Sequence, residues 1–158
     1  MKGQPGLKNY FGNSTAIKLA MVLAAVLCLA ASAPGSERFV DNGDGTISDN
    51  STGLMWVKTT PALKRNLANA QSYAESASRA GYNDWRLPTR EELDQLEEVF
   101  PYSLFEIKKG EYLTSSPGDP KGSIYVAKID PMEKEMDFFQ GNKRYRYCVL
   151  MVRDQTSN

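Results

Sequence analysis

The sequence predicts an α+β domain in which two helices pack on an antiparallel sheet. Three observations lead to this class: turn signals between short apolar runs, two amphipathic helical patterns, and a final series of strand-like runs. All of them lie within residues 38–153, and a chain of 158 residues suits one domain with extensions. We therefore expect a short linker over residues 34–37 before the domain and a flexible tail over residues 154–158 after it.

Residues 1–33 have the composition of a secretory signal peptide. Lys2, Lys8 and Lys18 are their only charged residues, and the apolar run from Leu19 to Ala31 leads into small residues. This run is shorter than the roughly 20 residues that span a bilayer, which favours a cleaved signal over a membrane anchor. The sequence therefore predicts export to the periplasm, the cell surface or the medium, with no membrane span after cleavage.

The charge and cysteine content of the remaining chain exclude two classes of protein. The whole sequence has 19 basic and 19 acidic residues, so loss of the three signal-peptide lysines leaves a net charge of −3. A mildly acidic domain lacks the strongly basic face of a nucleic-acid-binding protein. Cys28 leaves with the signal, and Cys148 alone cannot form an internal disulfide, which excludes a disulfide-stabilised scaffold.

The domain begins with a predicted β-hairpin. The segment Asp41–Gly45 contains an Asn-Gly and an Asp-Gly pair, which supply the positive φ that tight turns need. A second turn precedes the apolar run Leu54–Val57, which contains Trp56 and which we expect to form a buried strand. A calcium loop starting at Asp41 would have glycine at two positions that need oxygen ligands, so we predict turn chemistry there and no metal site.

The first predicted helix runs from about Leu67 to Arg79. Apolar side chains recur in it with the 3.6-residue period of a helix, which indicates one buried face. Gly81 stands where a left-handed C-cap would end such a helix. The residues of the buried face are Ala70, Tyr73, Ala74 and Ala77.

The second predicted helix starts at a capping box formed by Thr89 and Glu92. In this motif the threonine oxygen accepts a hydrogen bond from the helix start and the glutamate reaches back. Pro101 ends the helix, because proline has no backbone N–H to continue it. The side chains expected to face inward are Leu93, Leu96, Val99 and Phe100.

The remaining segments predict β-strands. They are residues 112–116, 123–129, 136–139 and 145–152. The last of them alternates and then becomes wholly apolar, which is typical of a central strand buried on both faces.

Catalysis is not indicated by any residue pattern. The sequence has no histidine, which excludes Ser-His-Asp and Cys-His arrangements and the common histidine zinc sites. Cys148 would act as a nucleophile only if a cation such as Arg146 lowered its pKa, and burial beside Val149 and Leu150 is the favoured interpretation. We therefore predict no catalytic residue, no bound metal and no cofactor.

Two long segments of the chain resemble the Lcl C-terminal domain family, named after the C-terminal domain of a bacterial collagen-like surface protein. The first is residues 38–56, and the second is residues 81–93, which read Gly-Tyr-Asn-Asp-Trp-Arg-Leu-Pro-Thr-Arg-Glu-Glu-Leu. Weaker matching blocks follow in order at residues 112–116, 124–126 and 147–149, so the resemblance covers residues 38–153.

The two main segments contain the residues to which we assign a structural role. Trp85 is expected in the core and Arg86 bound to carboxylates or carbonyls, with an exposed ligand platform as the alternative for this pair. The structural residues are Trp56, Asp84, Trp85, Arg86, Leu87 and Pro88.

The resemblance implies a fold related to C-type lectins and formylglycine-generating enzymes, in a bacterial exported protein. The collagen-like member suggests binding to sulfated polysaccharide. Family members often carry a cysteine at the position of Ala74, paired with the cysteine of the last strand, so Cys148 lacks that partner here. The Glu-Pro-Asn or Gln-Pro-Asp sugar motif of calcium-dependent lectins is absent as well.

Lys143, Arg144 and Arg146 are the candidate ligand-binding residues, because they form the dense basic cluster of the mature chain. In a strand, Arg144 and Arg146 would share one face, with Tyr145 and Tyr147 on the other. Such a patch suits sulfate or an acidic sugar, which it would hold by charge-assisted hydrogen bonds. A solvated hairpin end is the alternative interpretation.

Together these patterns predict a non-catalytic binding module of the bacterial cell envelope or surface. We expect its partner to be a polysaccharide, with an anionic glycan as the leading case, or an envelope protein. The alternative is a structural subunit of a cell-surface assembly, in which an unpaired cysteine would suit an interchain contact.

Overall fold

A computed structural model describes residues 37–97 and 99–156. The predicted signal peptide, residues 1–33, lies outside the described residues, as do residues 34–36 of the predicted linker. The described part contains two helices and two antiparallel sheets, which confirms the α+β class. None of these helices is long and apolar enough to cross a membrane.

The first sheet has four antiparallel strands in the order β1-β2-β3-β7. The strands β1 (Phe39–Asp41), β2 (Thr46–Asp49) and β3 (Leu54–Val57) follow one another as predicted. The strand β7 (Val152–Asp154) comes from the end of the chain and pairs with β3. This pairing closes the domain by joining its two ends.

Aspartate side chains close the turn between β1 and β2, as predicted. Asp41 Oδ1 accepts a hydrogen bond from the N–H of Gly43 at 3.0 Å. Asp44 Oδ1 accepts one from the N–H of Thr46 at 3.0 Å and one from its hydroxyl at 2.6 Å. Gly43 and Gly45 have φ values of 75° and 90°, in the left-handed region that glycine enters at little cost.

The first helix, α1 (Leu67–Glu75), is shorter than predicted. Asn66 caps its start, since the Asn66 side chain accepts a hydrogen bond from the N–H of Asn69 at 3.0 Å. Ala70 and Ala74 are fully buried, as the apolar period indicated. The small side chains let α1 approach the second sheet closely.

Gly81 does not end α1, so the predicted C-cap was wrong. Ser76, in a right-handed conformation, occupies that position. Gly81 and Ala80 instead have φ values of 82° and 53° at the centre of a tight turn. Reciprocal backbone hydrogen bonds between Arg79 and Tyr82 close it, and positive φ at both central residues is the signature of a type I′ turn.

The second helix, α2 (Arg90–Glu97), begins at the predicted capping box. Thr89 Oγ1 accepts a hydrogen bond from the N–H of Glu92 at 3.1 Å, and Glu92 Oε2 accepts one from the N–H of Thr89 at 2.8 Å. The prediction for Val99 was wrong, because this side chain is 47% exposed. Val99 lies beyond the last described helical residue and no longer follows the helical period. The buried members of the predicted stripe are Leu93, Leu96 and Phe100.

The second sheet has three antiparallel strands in the order β4-β5-β6. They are β4 (Gly110–Pro117), β5 (Ser123–Asp130) and β6 (Glu135–Asn142). Each contains the run that predicted it and is longer than that run. Among these strands, β5 is central and its apolar residues are buried on both faces.

The prediction of one strand over residues 145–152 was wrong, although the predicted burial is present. Residues 143–146 form a turn or irregular structure, and Tyr147 and Cys148 make only single bridges. The rest of the segment passes between two hydrophobic cores, and alternate side chains enter each of them. Burial on both sides therefore explains the apolar run without a continuous hydrogen-bonded ladder.

The domain extends past residue 153, where the sequence predicted a flexible tail. Asp154 is the last residue of β7 and pairs with Leu54. The backbone N–H of Gln155 donates to the carbonyl of Gly53 at 2.9 Å, and its side-chain amide donates to the carbonyl of Leu54 at 2.9 Å. The predicted tail is therefore wrong for these two residues.

Candidate functional site

The predicted structural motif begins with a buried tryptophan. Trp85 is 1% exposed, and its Nε1–H donates to the carbonyl of Arg79 at 3.3 Å. The Tyr82 ring packs edge-on against the Trp85 ring, with centroids 6.4 Å apart. Leu87 and Pro88 are buried beside them. The expectation that Trp85 lies in the core is confirmed, which removes it as an exposed ligand platform.

Arg86 is bound to carboxylates, as predicted. Its two terminal nitrogens donate to the Glu92 carboxylate at 2.8 and 2.7 Å, and Nη2 also contacts Asp154 at 3.1 Å. Burial alone would raise the pKa of Glu92, but the hydrogen bonds from Arg86 and Thr89, together with the positive charge of Arg86, lower it overall. These hydrogen bonds join the segment between the two helices, which contains Arg86, to both α2 and β7.

Asp84 holds a second arginine, which the sequence did not single out. Arg153 is 1% exposed, and its Nε and Nη2 donate to the Asp84 carboxylate at 2.6 and 3.1 Å. The Arg153 guanidinium also lies 3.9 Å from the centre of the Tyr82 ring. The hydrogen bonds from Arg153 lower the pKa of Asp84. The polar residues of the motif thus connect parts of the fold to one another.

The predicted basic cluster lies in a different part of the domain. Two segments remote in sequence pair there: the N–H of Arg65 donates to the carbonyl of Tyr147 at 2.8 Å, and the N–H of Tyr147 donates back at 2.9 Å. Nε of Arg146 donates to the carbonyl of Lys64 at 3.2 Å. The N–H of Leu67 donates to the carbonyl of Lys143 at 3.1 Å. Basic residues from both segments therefore come together at the start of α1.

We call this region the cationic surface and define it by five side chains. Apart from partly buried Arg65 they are exposed, and none forms a salt bridge with another described residue. The Arg65 guanidinium stacks 3.9 Å from the centre of the Tyr73 ring, which positions it without neutralising its charge. The five residues are Lys64, Arg65, Lys143, Arg144 and Arg146.

The local geometry of the cluster differs from the predicted strand. Asn142–Tyr145 is a turn, closed by a hydrogen bond from the N–H of Tyr145 to the carbonyl of Asn142 at 2.9 Å. Tyr145 is 65% exposed, whereas Tyr147 is 4% exposed. The hydroxyl of Tyr147 accepts a hydrogen bond from the N–H of Asn142 at 3.1 Å. The two tyrosines therefore do not share a face, and only Tyr145 is available to a ligand.

A depression of about 390 Å³ lies on the cationic surface. Lys64, Arg65 and Arg146 line it together with Tyr73, and its described lining includes no carboxylate. Lys143 lines a second depression instead, and Arg144 lies exposed on the Asn142–Tyr145 turn. The sequence missed Lys64 and Arg65, and its one hint was that two basic residues stand together before α1.

Cys148 is half-buried and has no disulfide partner among the described residues. Burial raises the pKa of its thiol. A Cβ added at Gly110 would lie 3.1 Å from the Cys148 Sγ, which shows how closely the backbone of β4 approaches it. The neutral thiol is therefore favoured at this position.

The described carboxylates and the Cys148 thiol do not form a metal-binding group. Within residues 37–97 and 99–156, no group of three or more Cys, Asp or Glu side chains is placed to hold a metal ion. The arrangement that stands out is the set of unpaired cations at the start of α1.

The fold and this surface define an α+β domain with a cationic face. The family model described as the Lcl C-terminal domain matches residues 45–153. This match spans more than half of the chain, and the chain belongs to that family. No curated protein matches the sequence.

Proposed function

We propose that this chain is an exported, non-catalytic binding module that recognises an anionic polysaccharide of the cell envelope or its surroundings through the cationic surface. The observation that carries the proposal is the convergence of five cations without a salt-bridge partner among the described residues. Sulfate and carboxylate groups bind such side chains by charge-assisted hydrogen bonds, and the guanidinium of arginine suits them by its planar fork.

The aromatic residues of the surface add to this argument. Tyr73 orients Arg65, and the exposed ring of Tyr145 offers a flat face beside the cations. Sugar rings present C–H groups on one side and polar groups at their rim, so a mixed aromatic and cationic surface suits them. The proposal of export is supported by the apolar segment that follows Lys18 within residues 1–33. The relation of the fold to C-type lectins is part of the same proposal and is supported by the family membership.

Heparin chromatography of the mature protein tests the proposal. We expect retention at low salt and elution as salt rises, because exposed charges are screened within about 8 Å at physiological ionic strength. Arg144→Ser combined with Arg146→Ser should elute at clearly lower salt than the wild type. The matched control is Lys128→Ser combined with Lys134→Ser, which changes the net charge equally.

The control residues lie far from the cationic surface. Lys134 precedes β6 and Lys143 follows it, so the eight-residue strand separates them by about 27 Å. We expect the control variant to elute like the wild type. Passage of the wild-type protein without retention at low salt contradicts the proposal, and the structural-subunit alternative then becomes the better account.

A further inference from the structure

A second depression borders the cationic surface at Lys143 and has a volume of about 580 Å³. One wall is formed by Pro117 at the end of β4 and by Asp119 and Lys121 of the connection to β5. The other wall includes Leu67 and Lys143, whose backbones are joined by the 3.1 Å hydrogen bond described above. The depression is therefore built partly by the residues that hold the cationic surface together.

The charged side chains that line this depression include both a carboxylate and ammonium groups. Asp119, Lys121 and Lys143 form no salt bridge with any described residue. The Ser123 hydroxyl also lines this depression, but its one hydrogen is donated to the carbonyl of Pro120 at 2.7 Å, with Gln140 Oε1 at 3.2 Å as a second acceptor, so it is occupied internally. One carboxylate and two ammonium groups thus remain for a ligand.

These three charged groups can discriminate between ligands that carry the same negative charge. A carboxylated sugar places its carboxylate against the lysines, donates hydroxyl hydrogens to Asp119, and packs its C–H face on Leu67 and Pro117. A polyanion without hydroxyl donors, such as polyphosphate, meets the Asp119 carboxylate with repulsion alone. An unfavourable contact of this kind discriminates between ligands of equal charge.

We infer that this depression is a second subsite of the same surface and selects a uronic-acid-containing polysaccharide over polyanions that lack hydroxyl groups. The inference rests on the proposed function. The two depressions flank α1, with Leu67 on one side and Asn69, Ser72 and Tyr73 on the other. A helix with its side chains is about 10–12 Å wide, so a ligand that reaches both subsites is an oligosaccharide.

Calorimetric titration of the mature protein with oligogalacturonate and with polyphosphate of equal charge tests this inference. We expect the wild type to prefer the oligogalacturonate, and monomeric galacturonate to bind much more weakly than its oligomers. Asp119→Ala should weaken oligogalacturonate binding about tenfold or more, as loss of a charge-assisted hydrogen bond does, and should leave polyphosphate binding unchanged or stronger. Glu133→Ala is the matched control, an exposed carboxylate in the turn before β6.

The outcomes separate this inference from the proposed function. If Asp119→Ala binds both polyanions as the wild type does, or loses affinity for both equally, the second subsite is overturned while retention on heparin still decides the proposed function. If the wild type binds neither polyanion nor heparin, both are overturned. Because Asp119 is exposed, the melting temperature of Asp119→Ala should match that of the wild type, which verifies that the variant is folded.

Discussion

Arg86 and Arg153 differ from Arg144 and Arg146 in their surroundings, although all four carry the same guanidinium. The first two donate to carboxylates at 2.6–3.1 Å and connect segments remote in sequence. The other two lie exposed on or beside a turn and form no salt bridge with a described residue. The motif thus uses its cations for stability, and the cationic surface leaves its cations available to a ligand.

This difference explains why the structural motif at residues 84–88 is not the candidate ligand-binding site. The charged side chains of the motif, Asp84 and Arg86, each have an internal partner, and replacing a partner leaves a buried or half-buried charge uncompensated. On the cationic surface, replacing Arg144 removes a solvated charge, and replacing Arg146 removes in addition one exposed hydrogen bond to the Lys64 carbonyl. Changes in the two regions should therefore affect different measurements, namely stability in the first and affinity in the second.

The largest effect on stability is expected from Trp85→Ala. Removing this 1% exposed ring leaves a cavity in the hydrophobic core that Trp85 shares with Ala70 and Ala74, and such substitutions cost about 3–5 kcal/mol. Chemical denaturation measures the loss. Tyr145→Ala, at a 65% exposed ring of the cationic surface, is the control and should stay within about 0.5 kcal/mol of the wild type. Equal stability of the two variants would contradict the assignment of the motif to the core.

A smaller loss is expected from Asp84→Ala. This change leaves the 1% exposed Arg153 without the carboxylate that accepts two of its hydrogen bonds. Because Asp84 itself is 38% exposed, we expect about 1.5–3 kcal/mol, the range for hydrogen bonds to charged groups. The control is Glu133→Ala, measured by the same denaturation experiment. A melting temperature equal to that of the wild type would show that Arg153 does not depend on Asp84.

The same ion pairs predict how stability depends on pH. Hydrogen bonds from Arg153 lower the pKa of Asp84. At Asp49 and Glu92 burial alone would raise the pKa, but their hydrogen bonds, together with the positive charges of Arg38 and Arg86, lower it overall. The pKa in the unfolded chain is 3.8 for Asp and 4.5 for Glu. A carboxyl whose pKa is lower in the folded state stabilises the fold at pH values above the unfolded pKa. This stabilisation is lost as pH falls from the unfolded pKa through the folded one.

Thermal melting between pH 7 and pH 3 tests this expectation. The melting temperature should decrease as pH falls toward 3. It should decrease less steeply in Asp84→Ala, because this variant lacks one of the carboxyls whose pKa is lowered in the folded state. Glu97 acts in the opposite direction, because burial raises its pKa and its contribution is lost as pH rises above 4.5. A fall of identical steepness in the variant would argue against the Asp84–Arg153 linkage.

The smallest effect on stability is expected from Arg144→Ser combined with Arg146→Ser. Neither residue has a carboxylate partner among the described residues, so the free energy of unfolding should change by less than about 0.5 kcal/mol while heparin affinity falls. Denaturation and chromatography of the same preparation check both parts. A marked loss of stability would show that the cationic surface is structural, like the motif.

Much of the fold was predictable from the sequence because its signals are local. The capping box of Thr89 and Glu92 and the turn at Asp41–Gly45 are present as predicted, and each is built by hydrogen bonds within a few residues. Burial of Trp85 also followed from the sequence. The end of α1 did not, because Gly81 is suited to a C-cap and to a tight turn alike, and packing selects between the two roles.

By itself, the sequence determined the fold class, the family, the hydrophobic runs and three of the five residues of the cationic surface. Tertiary structure alone decided that Lys64 and Arg65 join Lys143, Arg144 and Arg146, because backbone pairing between Arg65 and Tyr147 brings remote segments together. It also decided that residues 147–151 pass between two cores without a continuous ladder, because an apolar run indicates burial but not which backbone groups form hydrogen bonds. Which cations stay without a partner depends on where carboxylates lie in three dimensions.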